Sequence, residues 1–296
     1  MKLVNLTEGL DALYGPEGAI RALAKAGFDG VDYSFFDVRD GGSIWWQESW
    51  RELARSVRKT AEECGVEIRQ AHAPFPSSGH NEGESRWAFE AILRAMEAAS
   101  IMGVKHIVVH PMMHLSHRLQ PDELREENLA FYRRLIPYCE QWHIRVCAEN
   151  MWLWDKKRGC IIDGPCARME DFAALLDALN SPWITGCLDL GHCALVGFDP
   201  AECIRALGKE RLSCLHVHDV DYRHDCHTLP YTRNLDWDAI TAALAEIGYE
   251  GDFTFEAAEF VKPFPAELKE DALAFMAKVG KQLVEKIRNS ECGMRN

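Results

Sequence analysis

The sequence predicts an α/β protein built as a single (β/α)8 TIM barrel, and three observations predict it. Eight short apolar runs, each followed by a helical stretch, can be laid along the 296 residues almost without gaps. Strict strand–helix alternation implies a parallel sheet with right-handed crossovers, and eight units close such a sheet into a barrel. His72, His110, Glu149, Asp189, His216 and Glu256 each stand at the C-terminal end of one of these runs, so closure would gather all six at one mouth.

The units follow in order. Residues 3–5 form the first strand, with a helix over 16–25; residues 30–33 form the second, with a helix over 48–64. The third strand, 66–71, leads to His72 and a helix over 86–101; the fourth, 105–109, leads to His110 and a helix over 121–142. The fifth, 143–148, leads to Glu149 and a helix over 169–179; the sixth, 183–188, leads to Asp189 and a helix over 200–207. The seventh, 212–215, leads to His216 and a helix over 237–247; the eighth, 252–255, leads to Glu256 and a helix over 265–287. Gly27 and Gly248 follow helical runs and precede strands, as residues that end a helix in the left-handed conformation do. Pro121, Pro200 and Pro265 sit near helix starts, where a missing N–H costs nothing. With no linker, low-complexity segment or repeat beyond the βα unit, residues 1–288 are expected to form one barrel domain and 289–296 a frayed tail.

Composition narrows the class. A hydrophobic content of 47% is ample for one large core, and no run approaches the roughly 18 apolar residues a spanning helix needs. No basic start followed by an apolar run is visible, and the 11 cysteines, odd in number, form no Cys-x-x-Cys pair. Cys147, Cys187 and Cys214 lie inside predicted strands and read as reduced, buried thiols of a cytoplasmic protein. A net charge of -13 argues against nucleic acid as partner. No glycine-rich phosphate loop follows a strand, so a nucleotide cofactor is unsupported. A homo-oligomer is neither required nor excluded.

Side chains alternate between lumen and helix layer along a barrel strand. Cys214, His216 and His218 share one face, as do Thr185, Cys187 and Asp189, and Asp252, Thr254 and Glu256. The donors therefore fall on the less apolar face, the lumen, and lead to the C-terminal mouth, where barrels carry chemistry. His192 and the pair Asp225 and His227 extend the set to nine potential metal ligands. So many oxygen and nitrogen donors are costly to desolvate without a cation. Trp45 and Trp46 after the second strand, and Trp152 and Trp154 after the fifth, offer indole faces that could stack on sugar rings. His218 is expected beside the ligand set and, with Arg223, among the substrate-binding residues; His106 is expected lower in the barrel, in its core; and Arg223 and Arg233 are placed to hold a carboxylate or phosphate.

These motifs resemble the xylose-isomerase-like barrel superfamily, which includes sugar phosphate isomerases/epimerases, ketose 3-epimerases, inosose dehydratase and endonuclease IV. The resemblance rests on Ala71-His72-Ala-Pro, Val109-His110-Pro, Ala148-Glu149-Asn150, Leu188-Asp189-Leu-Gly-His192, His216-Val-His-Asp219, Asp225-Cys-His227 and Phe255-Glu256, followed by Leu235-Asp-Trp237 and Gly248-Tyr-Glu-Gly251. By resemblance to ketose epimerases, one divalent ion would be held by Glu149, Asp189, His216 and Glu256. By resemblance to endonuclease IV, a second would use His72, His110 and Glu149, and a third His192, Asp225 and His227. Two departures stand out. The family's Pro-Gly-x-Gly turn is replaced by Leu229-Pro230-Tyr231-Thr232-Arg233, and Tyr222 occupies the position of a substrate-binding Arg, with Arg223 following.

Together these readings imply a divalent-metal-dependent isomerase or epimerase of a sugar, keto-sugar or polyol, with no membrane or nucleic-acid partner. One to three ions of Mn, Co, Mg or Zn would be bound, the mixed N/O donor set choosing none of these. Glu149 and Glu256 would be the catalytic pair, moving a proton through a metal-bound enediolate. The alternatives are a lyase or dehydratase that loses water or a glycosidic group from the same enolate, and an endonuclease IV-like phosphodiesterase on abasic DNA.

Overall fold

The computed structural model describes residues 1–115 and 117–294, with side chains described through residue 290. Eight parallel strands form the barrel: β1 (Leu3–Leu6), β2 (Gly30–Ser34), β3 (Glu67–His72), β4 (His106–Val109), β5 (Arg145–Glu149), β8 (Ile184–Asp189), β9 (Leu212–His216) and β10 (Phe253–Phe255). The remaining two, β6 (Trp152–Asp155) and β7 (Cys160–Asp163), make a separate antiparallel hairpin between β5 and its helix. The sheet order β10-β1-β2-β3-β4-β5-β8-β9 closes on itself. Val217 N–H donates to Thr254 O at 2.9 Å, and Glu256 N–H to Val217 O at 3.1 Å. This is the predicted TIM barrel.

The helix layer follows from where apolar residues face. Leu3, Val31, Ile107, Val146, Leu188, Leu215, Phe253 and Phe255 point outward and bury themselves under the helices. Their lumen-facing neighbours Val108, Cys147, Cys187 and Cys214 form a small separate layer inside the barrel. The thiols of Cys147 and Cys214 lie 3.4 Å apart, and burial pushes both up, so they serve as small apolar filling. Above this layer the lumen turns polar.

Two register shifts set the height of those polar residues. Val31 pairs with Ile68 but Asp32 with Gln70, and Gly186 pairs with Leu212 but Cys187 with Cys214. The extra residue on the partner strand brings Asp32 level with Gln70, and Asp189 level with His216.

Helices over Pro121–Trp142, Met169–Leu179 and Pro200–Leu207 have the expected bounds. The helix Glu82–Met102 starts four residues before the expected 86, because Asn81 caps it. Asn81 Oδ1 accepts from Glu84 N–H at 2.9 Å, and the Glu84 carboxylate reaches back to His80 N–H at 2.8 Å. The last helix, Ala266–Met294, continues through most of the expected tail at 289–296; residues 295–296 lie outside the described residues. Short helices at Leu10–Tyr14, Leu190–Leu195 and Ala258–Val261 sit just past the ends of β1, β8 and β10 and rim the mouth. No described helix is long and apolar enough to cross a membrane.

Candidate metal centre

The six strand-end residues converge as the parity argument requires. His72, Glu149, Asp189 and His216 close their strands; His110 and Glu256 stand one residue beyond theirs. All six are buried, Asp189 and His216 fully. His216 Nδ1 lies 3.1 Å from Glu149 Oε1 and 3.0 Å from Glu256 Oε2. On the far side of Glu149, Oε2 is 3.0 Å from His110 Nε2 and 3.6 Å from His72 Nε2.

A second cluster adjoins the first. Asp225 Oδ2 is 3.1 Å from His227 Nε2 and 3.5 Å from His192 Nε2, and it accepts from the Trp152 indole at 3.0 Å. His192 Nδ1 is in turn 3.6 Å from Glu149 Oε1, so Glu149 stands between the two clusters. Four groups each bring their donor atoms within 4.8 Å of one another: His72, His110, Glu149; His72, His216, Glu256; Glu149, Asp189, His216, Glu256; and His192, His218, Asp225, His227. All nine sequence-predicted ligands fall into these groups.

The histidines are pre-oriented. His72, His192 and His227 each turn Nδ1 to a main-chain carbonyl, of Ala73, Asn150 and Glu256, at 2.8, 2.8 and 3.1 Å. Such a contact favours the tautomer whose Nε2 lone pair faces the cluster. His216 is oriented the other way round: Nδ1 faces the cluster, and Nε2 contacts Gln70 Nε2 at 3.1 Å and Asp32 Oδ2 at 3.7 Å. Gln70 also donates to Asp32 at 2.7 Å. Asp32 and Gln70 were not anticipated, although both sit at lumen parity one layer below the ligands, a signal the sequence did contain.

Motif residues that are not ligands build the frame. Asn150 ties β5 to β8: its Nδ2 donates to Asp189 O at 3.0 Å, and its Oδ1 accepts from Asp189 N–H at 2.8 Å. Asp219 is fully buried and clasps the loop that carries Asp225 and His227. Its oxygens accept from Val220, Leu235 and Arg233 N–H, each at 3.0 Å, and from the Trp237 indole at 3.2 Å. Where the family turn would carry glycines, Tyr231 takes φ 71°, a left-handed conformation.

The donor set fits a divalent cation. Glu149 Oε2, Glu256 Oε2 and Asp225 Oδ1 are buried and accept no hydrogen bond of good geometry. Buried oxygens without such a partner are costly unless a cation meets them. Electrostatics point the same way. Burial pushes the Glu149 carboxyl up, but the imidazoles of His216 and His110 hold it well below the ordinary carboxylate range. Burial likewise opposes ionisation of Glu256 and Asp225, yet His216, and His192 with His227, hold them low. The reciprocal effect lifts His227, against its burial, to about 10 through Asp225 and Glu256. A bound cation would take over the neutralising role and leave the imidazoles neutral, as ligation requires.

The cleft over this centre has a volume near 400 Å³ and is lined by His110, Glu149, His192, Asp225, His227 and Glu256 together with Glu8, Phe36, Phe75, Met113, Met151 and Trp152. Of the four tryptophans expected to form a substrate wall, Trp152 alone lines it. Trp45 is 1% exposed and packs edge-on against Tyr33 and Phe35 in the helix layer. Trp46 stacks on Trp87 and donates to Val38 O. Trp154 lies two residues beyond Trp152 on the same hairpin strand, and is 52% exposed and absent from the lining. His218 does not reach the cleft: it is fully buried, its Nε2 3.0 Å from both Asp189 oxygens and its ring stacked on His227 at 4.2 Å. Arg223 and Arg233 are exposed and absent from the lining. His106 stands at the opposite end of the barrel, partly exposed rather than in the core. Phe36 and Phe75, which supply the aromatic wall instead, follow the ends of β2 and β3. Their position after lumen-facing strand ends was the available signal.

Comparison with known proteins agrees with this architecture. A family model described as xylose isomerase-like TIM barrel matches residues 20–279. An uncharacterized protein of Sinorhizobium fredii (strain NBRC 101917 / NGR234) is 24% identical over 82% of this chain and 81% of its own. The crystal structure of a D-tagatose 3-epimerase-like protein superposes with a TM-score of 0.74 at 20% identity, covering 98% of this chain and 99% of that one. That of a 3-keto-D-glucoside 4-epimerase from E. coli gives a TM-score of 0.72 at 18% identity, covering 94% and 99%.

Proposed function

Given that the chain belongs to the xylose isomerase-like TIM barrel family, we propose that it is a divalent-metal-dependent isomerase or epimerase of a keto-sugar or polyol. The observation that carries this reading is the placement of Glu149 and Glu256. They contact the same histidine nitrogen from different strands, and each keeps one buried oxygen without a hydrogen bond of good geometry. A cation held by Glu149, Asp189, His216 and Glu256 would polarise a substrate carbonyl and stabilise the enediolate formed beside it.

The protein's own groups do the rest. Both glutamates are held ionised at neutral pH, so either can accept a proton from carbon while the other, once protonated, returns one. Asp32 and Gln70 fix the His216 ring, and Asn150 fixes the height of Asp189, so neither ligand drifts during the transfer. Phe36, Phe75, Met151 and Trp152 present apolar faces to the cleft, which suits the C–H face of a sugar ring and limits water near the transferred proton.

The test is incubation of the metal-loaded protein with a panel of ketohexoses and keto-sugars in deuterated water, read by mass. Epimer or isomer should form with a mass gain of one deuterium. Glu149→Gln and Glu256→Gln should each abolish product, with metal content measured alongside because an amide oxygen remains a weak ligand. Full activity in both variants would reject the glutamate pair. A product lighter by one water would move the reaction to elimination. The second cluster around Asp225 favours the phosphodiesterase reading to the extent that it resembles a multinuclear site. Against it stands the net charge of -13. Robust nicking of an abasic duplex that vanishes in Asp189→Ala would replace the sugar reading.

A further inference from the structure

The cleft over the metal centre carries a carboxylate that the ligand set does not use. Glu8 follows β1 in a turn anchored to β2: Thr7 N–H donates to Asp32 O and Ser34 N–H to Thr7 Oγ1, both at 2.9 Å. Leu10 N–H then donates to Thr7 O at 2.9 Å and opens the short helix Leu10–Tyr14. This frame sets Glu8, an exposed residue, on the cleft wall. Withdrawal from water, more than any neighbour, pushes its carboxyl up; Glu256 adds to this, and His227 and His72 oppose it, which places all three within electrostatic reach. Among the described residues it accepts no hydrogen bond and forms no ion pair. The rest of the outer wall offers nothing to an anion. No Lys or Arg lines the cleft among the described residues. The Trp152 indole N–H already donates to Asp225, and Glu259 is paired with Lys262 at 2.6 Å. Tyr222, which stands where the resemblance would put an Arg, turns its hydroxyl to Asn234 O at 3.0 Å. Above the ligand candidates the wall is thus apolar side chains and acceptors, with Glu8 the acceptor left open, and such a wall recognises donors.

We propose that Glu8 is a substrate-binding residue that selects by charge: it accepts hydrogen bonds from hydroxyl groups at the end of the sugar remote from the metal and excludes a phosphate or carboxylate there. This rests on the epimerase reading and adds the residue that distinguishes a sugar from its phosphate ester in this chain. A hydroxyl at that end supplies the donor that Glu8 lacks, in a bond strengthened by the carboxylate charge. A phosphate in the same place brings further negative charge against Glu8 and Glu259, with no cation on the wall to meet it. The turn anchored by Thr7 keeps Glu8 in place before substrate arrives, so little ordering is required when the hydroxyl binds.

The experiment measures binding of D-fructose, 6-deoxy-D-fructose and D-fructose 6-phosphate to the metal-loaded protein by calorimetry. These probes change only the end remote from the carbonyl, from donor to none to anion. The free sugar is expected to bind about tenfold more tightly than the 6-deoxy compound, as loss of a hydroxyl–carboxylate hydrogen bond implies. It should bind at least about tenfold more tightly than the phosphate. Glu8→Leu should bring the free and 6-deoxy sugars within about twofold of each other. Glu8→Lys should reverse the order, so that the phosphate binds more tightly than the free sugar. Metal content and melting temperature are measured on each variant and should match the unaltered protein, because Glu8 is not among the ligand candidates. Glu259→Gln should keep the original order, since Glu259 already has Lys262 as partner. Equal binding of the free sugar and either derivative overturns the proposal, as does a variant at Glu8 that keeps the original order. An effect of Glu259→Gln as large as that of Glu8→Leu overturns it too, and so does failure of all three probes to bind. Deuterium exchange into the ketohexose panel is read separately: if it persists in any of these cases, the epimerase reading stands and the assignment of Glu8 falls alone.

Discussion

Substitution of Asp219 probes how the second cluster is built. Its carboxylate is fully buried and accepts four hydrogen bonds, three from main-chain N–H groups and one from the Trp237 indole. Asp219→Ala removes all four acceptors at once. A buried donor left unpaired costs about 1–3 kcal/mol. Arg233 lies on an exposed stretch, where its N–H can turn to water. Val220, Leu235 and the Trp237 indole are buried and cannot. The expected loss is therefore about 3–5 kcal/mol, a large share of the stability of an ordinary domain. Asp219→Asn keeps the shape and one oxygen but turns NH2 toward two donors, for about 2–3 kcal/mol. The loop that Asp219 clasps carries Asp225 and His227, whereas Glu149, Asp189, His216 and Glu256 stand on the barrel itself. Metal content should thus fall at the second cluster and persist at the first. Urea denaturation followed by tryptophan fluorescence gives the stability, and metal analysis after dialysis gives the stoichiometry. An Asp219→Ala protein with an unchanged midpoint and unchanged metal content would refute the clasp.

Three further outcomes follow from the same geometry. His106, at the far end of the barrel, is pushed down to about 4 by burial and by Arg145, so on acidification the unfolded chain takes up the proton first. Its contribution, at most about 3 kcal/mol for a partly exposed ring, is complete above about pH 6.5 and lost between there and pH 4; His106→Gln should flatten the stability–pH slope in that window. Gly191→Ala improves helix propensity by about 1 kcal/mol. The new Cβ would, however, lie 2.1 Å from the His218 ring, and overpacking of about 1–3 kcal/mol should prevail, visible as a lower melting temperature. Adding Mn, Co or Zn to chelator-treated protein should raise the melting temperature, by about 2.7 kcal/mol of stability at a hundredfold excess over Kd, and Asp189→Ala should abolish the gain; no shift with any of the three would reject the metal centre.

The sequence by itself determined the barrel, because strand–helix alternation and period-two parity are local properties that no distant contact needs to supply. It also marked six of the nine candidate donors: each of the six is the residue at which an apolar run ends, and a closed parallel barrel brings such ends to one mouth. Three things waited for the tertiary structure. Strand parity says which face a residue takes but not its height. The register shifts beside Asp32 and Cys187 set Asp32 level with Gln70 and Asp189 level with His216. Loop residues have no periodicity to read: of Trp45, Trp46, Trp152 and Trp154, expected as the aromatic wall, Trp152 alone lines the cleft, beside Phe36 and Phe75. His218 has ligand parity and ligand chemistry and joins the His192, Asp225 and His227 group, yet Gly191 lets the short helix Leu190–Leu195 close over it, so it packs against Asp189 and does not line the cleft. Chemistry in a barrel depends on which side chains share a face and a height. The first is written in the alternation of the chain; the second is fixed by how the strands slide past one another when the sheet closes.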